Sequence, residues 1–148
     1  MDQWTSLGSH RYRIEDGILL LETNGEFSEA DLTQYIEIFQ QLAVDNPTFA
    51  VLADVRKGVS SSPEVRKRAA VAFRTKSQRV PIVVVGASLA IRTIFTLFTN
   101  AQRLLTGTPA MSAFFADFTQ AREWLVLKRA ELVQPGFPSR PPVDSRPP

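Results

Sequence analysis

The chain has 148 residues, 44% of them hydrophobic, which suits one compact domain able to bury a sizeable core. It has no cysteine and no run of about 20 apolar residues, which excludes disulfide bonds, thiolate chemistry and integral membrane helices. The net charge is only +2, but residues 1–55 hold ten acidic and two basic residues, whereas residues 56–79 hold eight basic residues and one acidic residue.

Residues 10–25 predict two short antiparallel strands. Asp16-Gly17 between them is a strong hairpin signal. Tyr12 and Ile14 alternate with charged residues, as in an edge strand that has one wet face. The second strand contains "ILLL" and is predicted to be its more buried neighbour.

The clearest helix of the chain lies within residues 27–47 and is ended by Asn46-Pro47. Ser28 is placed to cap it, Asp31 can complete a capping box, and Phe27 and Leu32 can form a hydrophobic staple around the cap. Apolar residues recur at helical spacing, so we expect one stripe of this helix to lie on a sheet.

Three strand–helix units follow. Residues 48–55 predict an interior strand. The next helix begins within "SSSPEV", capped either by Ser61 with Glu64 or by Ser62 with Pro63 at its first position, and runs to about Arg79. The remaining elements are an interior strand in residues 80–87, an unusually apolar helix in 88–107, a strand in 110–118 and an amphipathic helix in 119–133.

This order of elements predicts an α/β domain with a mixed, mainly parallel sheet of about five strands and about four helices, its first strand antiparallel at an edge. We assign residues 1–7 to an N-terminal segment, residues 8–133 to the single domain and residues 134–148 to a flexible, proline-rich tail. The two "SRPP" copies in the tail either belong to a disordered end or dock in a partner's groove.

The sequence shows no signature of an enzyme. His10 is the only histidine and no serine lies in a Gly-x-Ser-x-Gly turn, so a catalytic triad is not predicted. No phosphate-binding loop, dinucleotide fingerprint or aspartate-rich loop is present, so we expect no cofactor and no metal site. The basic helix lacks interleaved aromatic residues, which argues against nucleic-acid binding. No secretory signal is visible, so we expect a cytoplasmic protein.

Two loops are the best candidates for a binding site. In open α/β sheets, ligands meet the loops beyond the carboxyl ends of the strands. Here "DVRKGVSSS" follows one interior strand and "GAS" follows the next, and each runs into a helix N-terminus, which favours an anion. Arg56, Lys57 and Arg92 are near enough in sequence to add full charges. The alternative is that the serines only cap their helix.

The order of elements resembles the STAS domain of bacterial anti-sigma-factor antagonists, in its STAS-like or CRAL-TRIO-like branch. The resemblance covers about residues 8–127 and is carried by "GILLLETNGEFSEADL", "FAVLADV" ending in Asp54, "PIVVVGA" and "FADFTQAREWL". In the antagonists, the loop after the aspartate-ended strand carries Asp-Ser-Ser-Gly, whose first serine is phosphorylated by a partner kinase. The loop here reads "GVSSSPE", and the resemblance implies Ser60 or Ser61 as the phosphoacceptor, with Pro63 in place of the glycine.

The resemblance and the two loops together predict a non-catalytic regulatory domain that docks a partner protein through the loop after Asp54 and the adjacent basic helix. A phosphate on Ser60 or Ser61 would add negative charge at a helix N-terminus and repel an acidic partner. The residues predicted to contact the partner or an anion are Asp54, Arg56, Lys57, Ser60, Ser61, Ser62, Arg66, Lys67, Ser88 and Arg92.

The apolar third helix supports an alternative. If Phe95, Leu97 and Phe98 cannot all pack on one sheet, the surplus forms an exposed patch, which marks either a homodimer interface or a site for a lipid or other small hydrophobic ligand. The remaining possibility is an ordinary core helix. The uneven charge likewise favours an anionic partner, self-association of unlike faces, or simply two helices with differently charged solvated faces.

Overall fold

The computed structural model describes residues 3–74, 80–106 and 112–133. Within these residues the strands are β1 (Thr5–Leu7), β2 (His10–Glu15), β3 (Ile18–Glu22), β4 (Gly25–Glu26), β5 (Ala50–Asp54), β6 (Val59–Ser60), β7 (Ile82–Val85) and β8 (Ser112–Phe115). The helices are α1 (Glu29–Asp45), α2 (Pro63–Arg74), α3 (Leu89–Thr106) and α4 (Phe118–Val133). The predicted tail, residues 134–148, and the predicted continuation of α2 to Arg79 lie outside the described residues.

Six strands form one mixed sheet in the order β1-β2-β3-β5-β7-β8. The first three are antiparallel neighbours, and β3, β5, β7 and β8 are parallel. The predicted α/β class, with a mainly parallel sheet and four helices, is confirmed. Asp16 and Gly17 both have positive φ, at 54° and 76°, as the predicted tight hairpin requires.

The predicted edge position of β2 is wrong. Residues 5–7 form β1, which pairs antiparallel with β2 and takes the edge, so the sheet has six strands rather than about five. A strand of three residues is too short to show an alternating pattern, which is why the sequence did not reveal it. The structure also contains a small parallel pair, β4 with β6, apart from the main sheet.

Helices cover both faces of the sheet. Helix α4 packs on one face, where Ala121 and Leu125 are fully buried against the interior strands. Helices α1 and α2 pack on the opposite face, which buries Leu32, Phe39 and Val65. Leu125 therefore anchors α4 to the sheet, and Trp124 packs against the same core.

Helix α3 lies on the same face as α1 and α2, beside α2. Ala113 and Phe115 of β8 pack towards α4, so the intervening Phe114 points to the other face. Phe95 of α3 packs edge-on against Phe114, with 5.7 Å between the ring centroids. In the described part of the chain, no helix is both long enough and apolar enough to cross a membrane.

Both predicted caps on this face are present. Ser28 Oγ accepts a hydrogen bond from the Asp31 backbone at 3.1 Å, and the Asp31 carboxylate accepts one from the Ser28 backbone at 3.0 Å, which completes the capping box of α1. Of the two alternatives for α2, the structure selects Ser62, whose Oγ accepts from the Val65 backbone at 3.1 Å. Pro63 then takes the first helical position, where its missing N–H costs nothing.

Candidate functional site

The loop that follows β5 is pinned to the segment that follows β3. The Thr23 backbone donates to the Asp54 carbonyl at 3.0 Å, and the buried Thr23 hydroxyl donates to the Gly58 carbonyl at 3.0 Å. The Gly25 backbone donates to the same Gly58 carbonyl, also at 3.0 Å, and the Phe27 backbone donates to the Ser60 carbonyl at 2.8 Å. These bonds fix the path of the predicted docking loop along the carboxyl edge of the sheet.

Asp54 holds the start of this loop through its neighbour Arg56. The carboxylate accepts hydrogen bonds from the Arg56 backbone at 3.1 Å, from its Nε at 2.9 Å and from its Nη2 at 2.8 Å. Burial alone would raise the pKa of Asp54, but the hydrogen bonds and charge of Arg56, aided by Lys57, outweigh it and hold the pKa below its ordinary value. Asp54 therefore organises the loop, and its buried carboxylate is already hydrogen-bonded by Arg56.

The two predicted loops lie side by side. The Val55 backbone donates to the Val85 carbonyl at 3.0 Å, and the aliphatic part of Arg56 lies over Gly86. A Cβ built on Gly86 would stand 2.1 Å from Arg56 Cγ, and Gly86 has a φ of 80°, so close approach and backbone conformation both require glycine there. The parallel order of β5 and β7 thus brings the serine loop and the glycine turn to one rim of the domain.

The three serines of the loop differ in accessibility. Ser60 is exposed, with its backbone paired in β6. Ser61 is half-buried, and its carbonyl accepts a hydrogen bond from Arg66 Nη1 at 2.6 Å. The Ser62 hydroxyl serves as the cap of α2. Of the predicted phosphoacceptors, Ser60 thus has the more exposed side chain.

The predicted cations have different surroundings. Lys57 points back along the sheet to Glu22, with its Nζ 3.5 Å from the carboxylate. Glu22 also accepts from Arg11, which is the main reason why its pKa lies below the ordinary value. Lys67 is exposed on α2, and Arg92 is exposed on α3 with its guanidinium 5.4 Å from the centroid of the Phe114 ring.

One predicted contact residue, Ser88, and one residue next to the predicted set, Arg68, have structural roles. Ser88 caps α3, since its Oγ accepts from the Ile91 backbone at 3.3 Å. Arg68, which neighbours the predicted set, ties α2 to α1 by donating to the Glu29 carbonyl at 3.2 Å and to the Thr33 hydroxyl. Charge changes at Arg68 would therefore disturb the packing of two helices as well as any docking surface.

His10 contacts the segment that pairs with the docking loop, and both of its ring nitrogens are hydrogen-bonded. Its Nδ1 accepts from the Asn24 backbone at 2.8 Å, so the ring proton sits on Nε2, which donates to the Glu26 carbonyl at 3.0 Å and lies 3.3 Å from the Asp31 carboxylate. The ring stacks on Phe27 and the side chain is fully buried. This arrangement stabilises the start of α1 and leaves no ring nitrogen open to a substrate.

The apolar helix α3 exposes part of its hydrophobic surface. Of the predicted patch, Phe95 is half-buried on Phe114, Leu97 is 63% exposed, and the side chain of Phe98 lies outside the described part of the structure. The sequence interpretation missed three further exposed residues of the same helix: Leu89, Ile94 and Leu104. Their spacing in the sequence carries the signal that could have revealed them.

No protein-family model and no curated protein matches the chain. Several solved structures do, including the two that follow. An uncharacterised DUF3478-family protein with a SpoIIAA-like fold from Shewanella loihica PV-4 is 16% identical, covering 82% of this chain and 97% of its own, with a TM-score of 0.59. A putative anti-sigma factor antagonist from Thermotoga maritima is 13% identical, covering 78% of this chain and 92% of its own, with a TM-score of 0.50.

The similarity to these structures extends over most of the domain. At such low identity it concerns the fold alone. The chain has a SpoIIAA-like fold, which confirms the fold that the resemblance noted in the sequence implies.

Proposed function

We propose that this SpoIIAA-like domain is a non-catalytic regulatory module that docks a partner protein at the rim formed by residues 54–62 and 86–88, together with α2. The observation that carries the proposal is the contact of Arg56 with Gly86, which joins the two loops into one surface at the carboxyl edge of the sheet. One of the structural matches is a putative anti-sigma factor antagonist, a class whose name implies a protein partner. The full hydrogen bonding of His10 supports a non-catalytic role.

The charges of this surface favour an acidic partner. Arg56 and Lys57 are paired with Asp54 and Glu22. Within the described residues, Lys67 and Arg92 have no acidic partner, although both are exposed. Unneutralised cations of this kind attract an acidic surface and speed the encounter more than they add affinity.

Ser60 supplies a means of regulation. A phosphate there would add about −1.5 to −2 charges beside the first turn of α2, close in sequence to Arg66. The local positive charge would tolerate the phosphate, whereas an acidic partner would be repelled. Regulation would then act on docking and leave the stability of the domain almost unchanged.

A capture experiment tests the docking site. The purified chain, Lys67→Glu and Lys128→Glu are used as baits in a lysate of the source organism, and captured proteins are quantified by mass spectrometry. Lys128 is a matched control, because it is a helical lysine on α4, on the other face of the sheet. We expect Lys67→Glu to lower capture of the partner by about fivefold, since an exposed charge contributes roughly 1 kcal/mol, and Lys128→Glu to leave it unchanged.

Ser60→Glu is compared with Ser60→Ala in the same assay. We expect the glutamate to weaken capture and the alanine to preserve it, with both variants melting within about 2 °C of the parent chain. Equal capture by Ser60→Glu, Lys67→Glu and the parent chain would contradict docking at this rim.

A further inference from the structure

Helix α3 carries an exposed apolar line that the sheet does not cover. Ile94 is 46% exposed, Leu97 63% and Leu104 81%, and Ala90 is exposed as well. A monomeric domain of this size rarely leaves so many neighbouring large apolar side chains open to water.

The spacing of this line is that of a coiled-coil seam. Four and three residues alternately separate successive members of this line, which are the exposed positions 90, 94, 97 and 104 together with the alanine of the sequence at position 101. A repeat of four and three over two heptads is the pattern by which one helix packs along another, with knobs entering holes. We name positions 90, 94, 97, 101 and 104 the α3 seam. A surface with this pattern fits a helix as its occupant.

The flanks of the α3 seam carry no charge. Thr93 and Asn100, on one side of it, are exposed and neutral, and α3 contains no acidic residue. Of its two arginines, Arg92 turns towards Phe114 on the sheet side. Two identical seams can therefore meet without repulsion between like charges, which two copies of the basic helix α2 could not do.

We infer that two copies of this chain pair through the α3 seam, with their α3 helices antiparallel and a two-fold axis at Leu97. In this register Leu97 meets its own copy and Ala90 lies opposite Leu104. A small residue thus faces a large one on each side of the axis, as close packing requires. Parallel pairing would instead set Ala90 against Ala90 and Leu104 against Leu104, leaving a gap at one end and crowding at the other.

The neutral polar residues of α3 also favour a second copy of the chain over a membrane surface as the occupant of the seam. Helices that lie in a membrane interface carry lysine and arginine along their polar face. The exposed polar residues of α3 are mainly neutral, among them Thr93, Thr96 and Asn100. One helix per subunit gives an interface near the lower limit for specific association, about 1,200 Å². We therefore expect a reversible dimer with a dissociation constant in the micromolar range, about 10 µM.

Sedimentation velocity over about 1 to about 100 µM of the full chain tests the pairing. We expect conversion from monomer to dimer in this range, weakened at least about tenfold by Leu97→Glu, which places two carboxylates at the axis. Leu127→Glu is the matched control, because Leu127 is a leucine of similar exposure (65%) on α4, on the other face of the sheet, and it should dimerise as the parent chain does. Both leucines are exposed, so circular dichroism should show unchanged folding.

The absence of cysteine allows the register to be tested by single cysteines under mild oxidation. Leu97→Cys alone should cross-link, Ala90→Cys alone should not, and a mixture of Ala90→Cys with Leu104→Cys should form the mixed dimer. Cross-linking of Ala90→Cys alone would overturn the antiparallel register. A chain that stays monomeric throughout, or one that carries a co-purified lipid in native mass spectrometry and dimerises only without it, would overturn the pairing.

Discussion

Helices α1 and α3 lie on the same face of the sheet and have nearly the same length, 17 and 18 residues, yet they relate differently to the domain. Helix α1 buries its apolar stripe, including Leu32, Phe39 and Leu42. Helix α3 leaves Leu97 and Leu104 mostly exposed. The amount of apolar surface on a helix therefore does not decide how much of it is buried. The area of sheet and neighbouring helix on which it can pack decides that.

Helix α1 also has more polar contacts at its first turn than α3 has. The start of α1 is held by the capping box of Ser28 and Asp31, and the Asp31 carboxylate also faces His10. The start of α3 has the single cap of Ser88, at the longer distance of 3.3 Å. The start of α1 is thus held by more polar contacts than the start of α3.

Matched leucine truncations should give the largest contrast between the two helices. Leu42→Ala removes a side chain that is 6% exposed and should lower the free energy of unfolding by about 2–5 kcal/mol. Leu97→Ala, at a concentration where the chain is monomeric, should change it by less than about 0.5 kcal/mol. Urea denaturation monitored by circular dichroism measures both. Equal losses of unfolding free energy in the two variants would show that Leu97 is buried in solution and that α3 is a core helix.

A substitution at Gly8 probes the anchor of α1 without touching its apolar stripe. Gly8 has a φ of 63°, and a Cβ there would lie 2.1 Å from Asp31 Oδ1, so Gly8→Ala must displace the carboxylate that caps the helix. We expect a loss of about 2–3 kcal/mol, combining backbone strain with the lost cap. Gly25→Ala is the control: its φ is 90°, but its Cβ would have no neighbour within 4 Å, so only the strain of about 1–2 kcal/mol applies. Equal melting temperatures of the two variants would contradict the role given to Asp31.

The well-anchored region was the more predictable one from the sequence. The capping box of Ser28 and Asp31 and the hairpin at Asp16-Gly17 depend on neighbours in the chain, so local patterns revealed them. Strand β1 was missed because three residues cannot show a period, and its place in the sheet depends on pairing with β2. Local signals were also ambiguous at α2, where only the fold decided between Ser61 and Ser62 as the cap.

The candidate site was predictable in outline but not in its contacts. Strand order placed the two loops at one rim, since parallel strands end at the same edge. The bonds of Thr23 to Gly58 and the packing of Arg56 on Gly86 join residues that are far apart in the sequence. Asp54 was predicted to contact the partner or an anion, whereas its carboxylate is buried beneath Arg56. Such pairings depend on three-dimensional proximity, which no local pattern contains.

Removing the N-terminal caps of α1 and α3 should produce smaller losses of stability that also differ between the two helices. Ser28→Ala should cost about 1–2 kcal/mol, because it removes the hydroxyl that accepts from the Asp31 backbone N–H and so breaks the reciprocal capping box. Ser88→Ala should cost about 0.5 kcal/mol, because its single bond is long and lies at an exposed helix start. Thermal denaturation resolves a difference of this size. A larger loss for Ser88→Ala would mean that α3 is held more firmly than α1 at its first turn.

A pH-dependent prediction concerns Asp54, which binds the Arg56 that packs on Gly86 just before α3. The pKa of Asp54 is lower in the folded chain than in the unfolded chain, so its contribution to stability is present above the unfolded value, about 3.9, and is lost as pH falls through the folded value. We therefore expect Asp54→Asn to lower stability by about 1 kcal/mol at neutral pH and by progressively less in acid.

Urea midpoints of the parent chain and Asp54→Asn, measured from about pH 7 down to about pH 2, check this pH dependence. Glu22 has a lowered pKa as well, so Glu22→Gln should show the same convergence with the parent chain in acid. If the gap between Asp54→Asn and the parent chain stayed constant down to the lowest pH, the loss would come from altered packing. The ion pair with Arg56 would then contribute nothing to the stability of the loop that packs on Gly86.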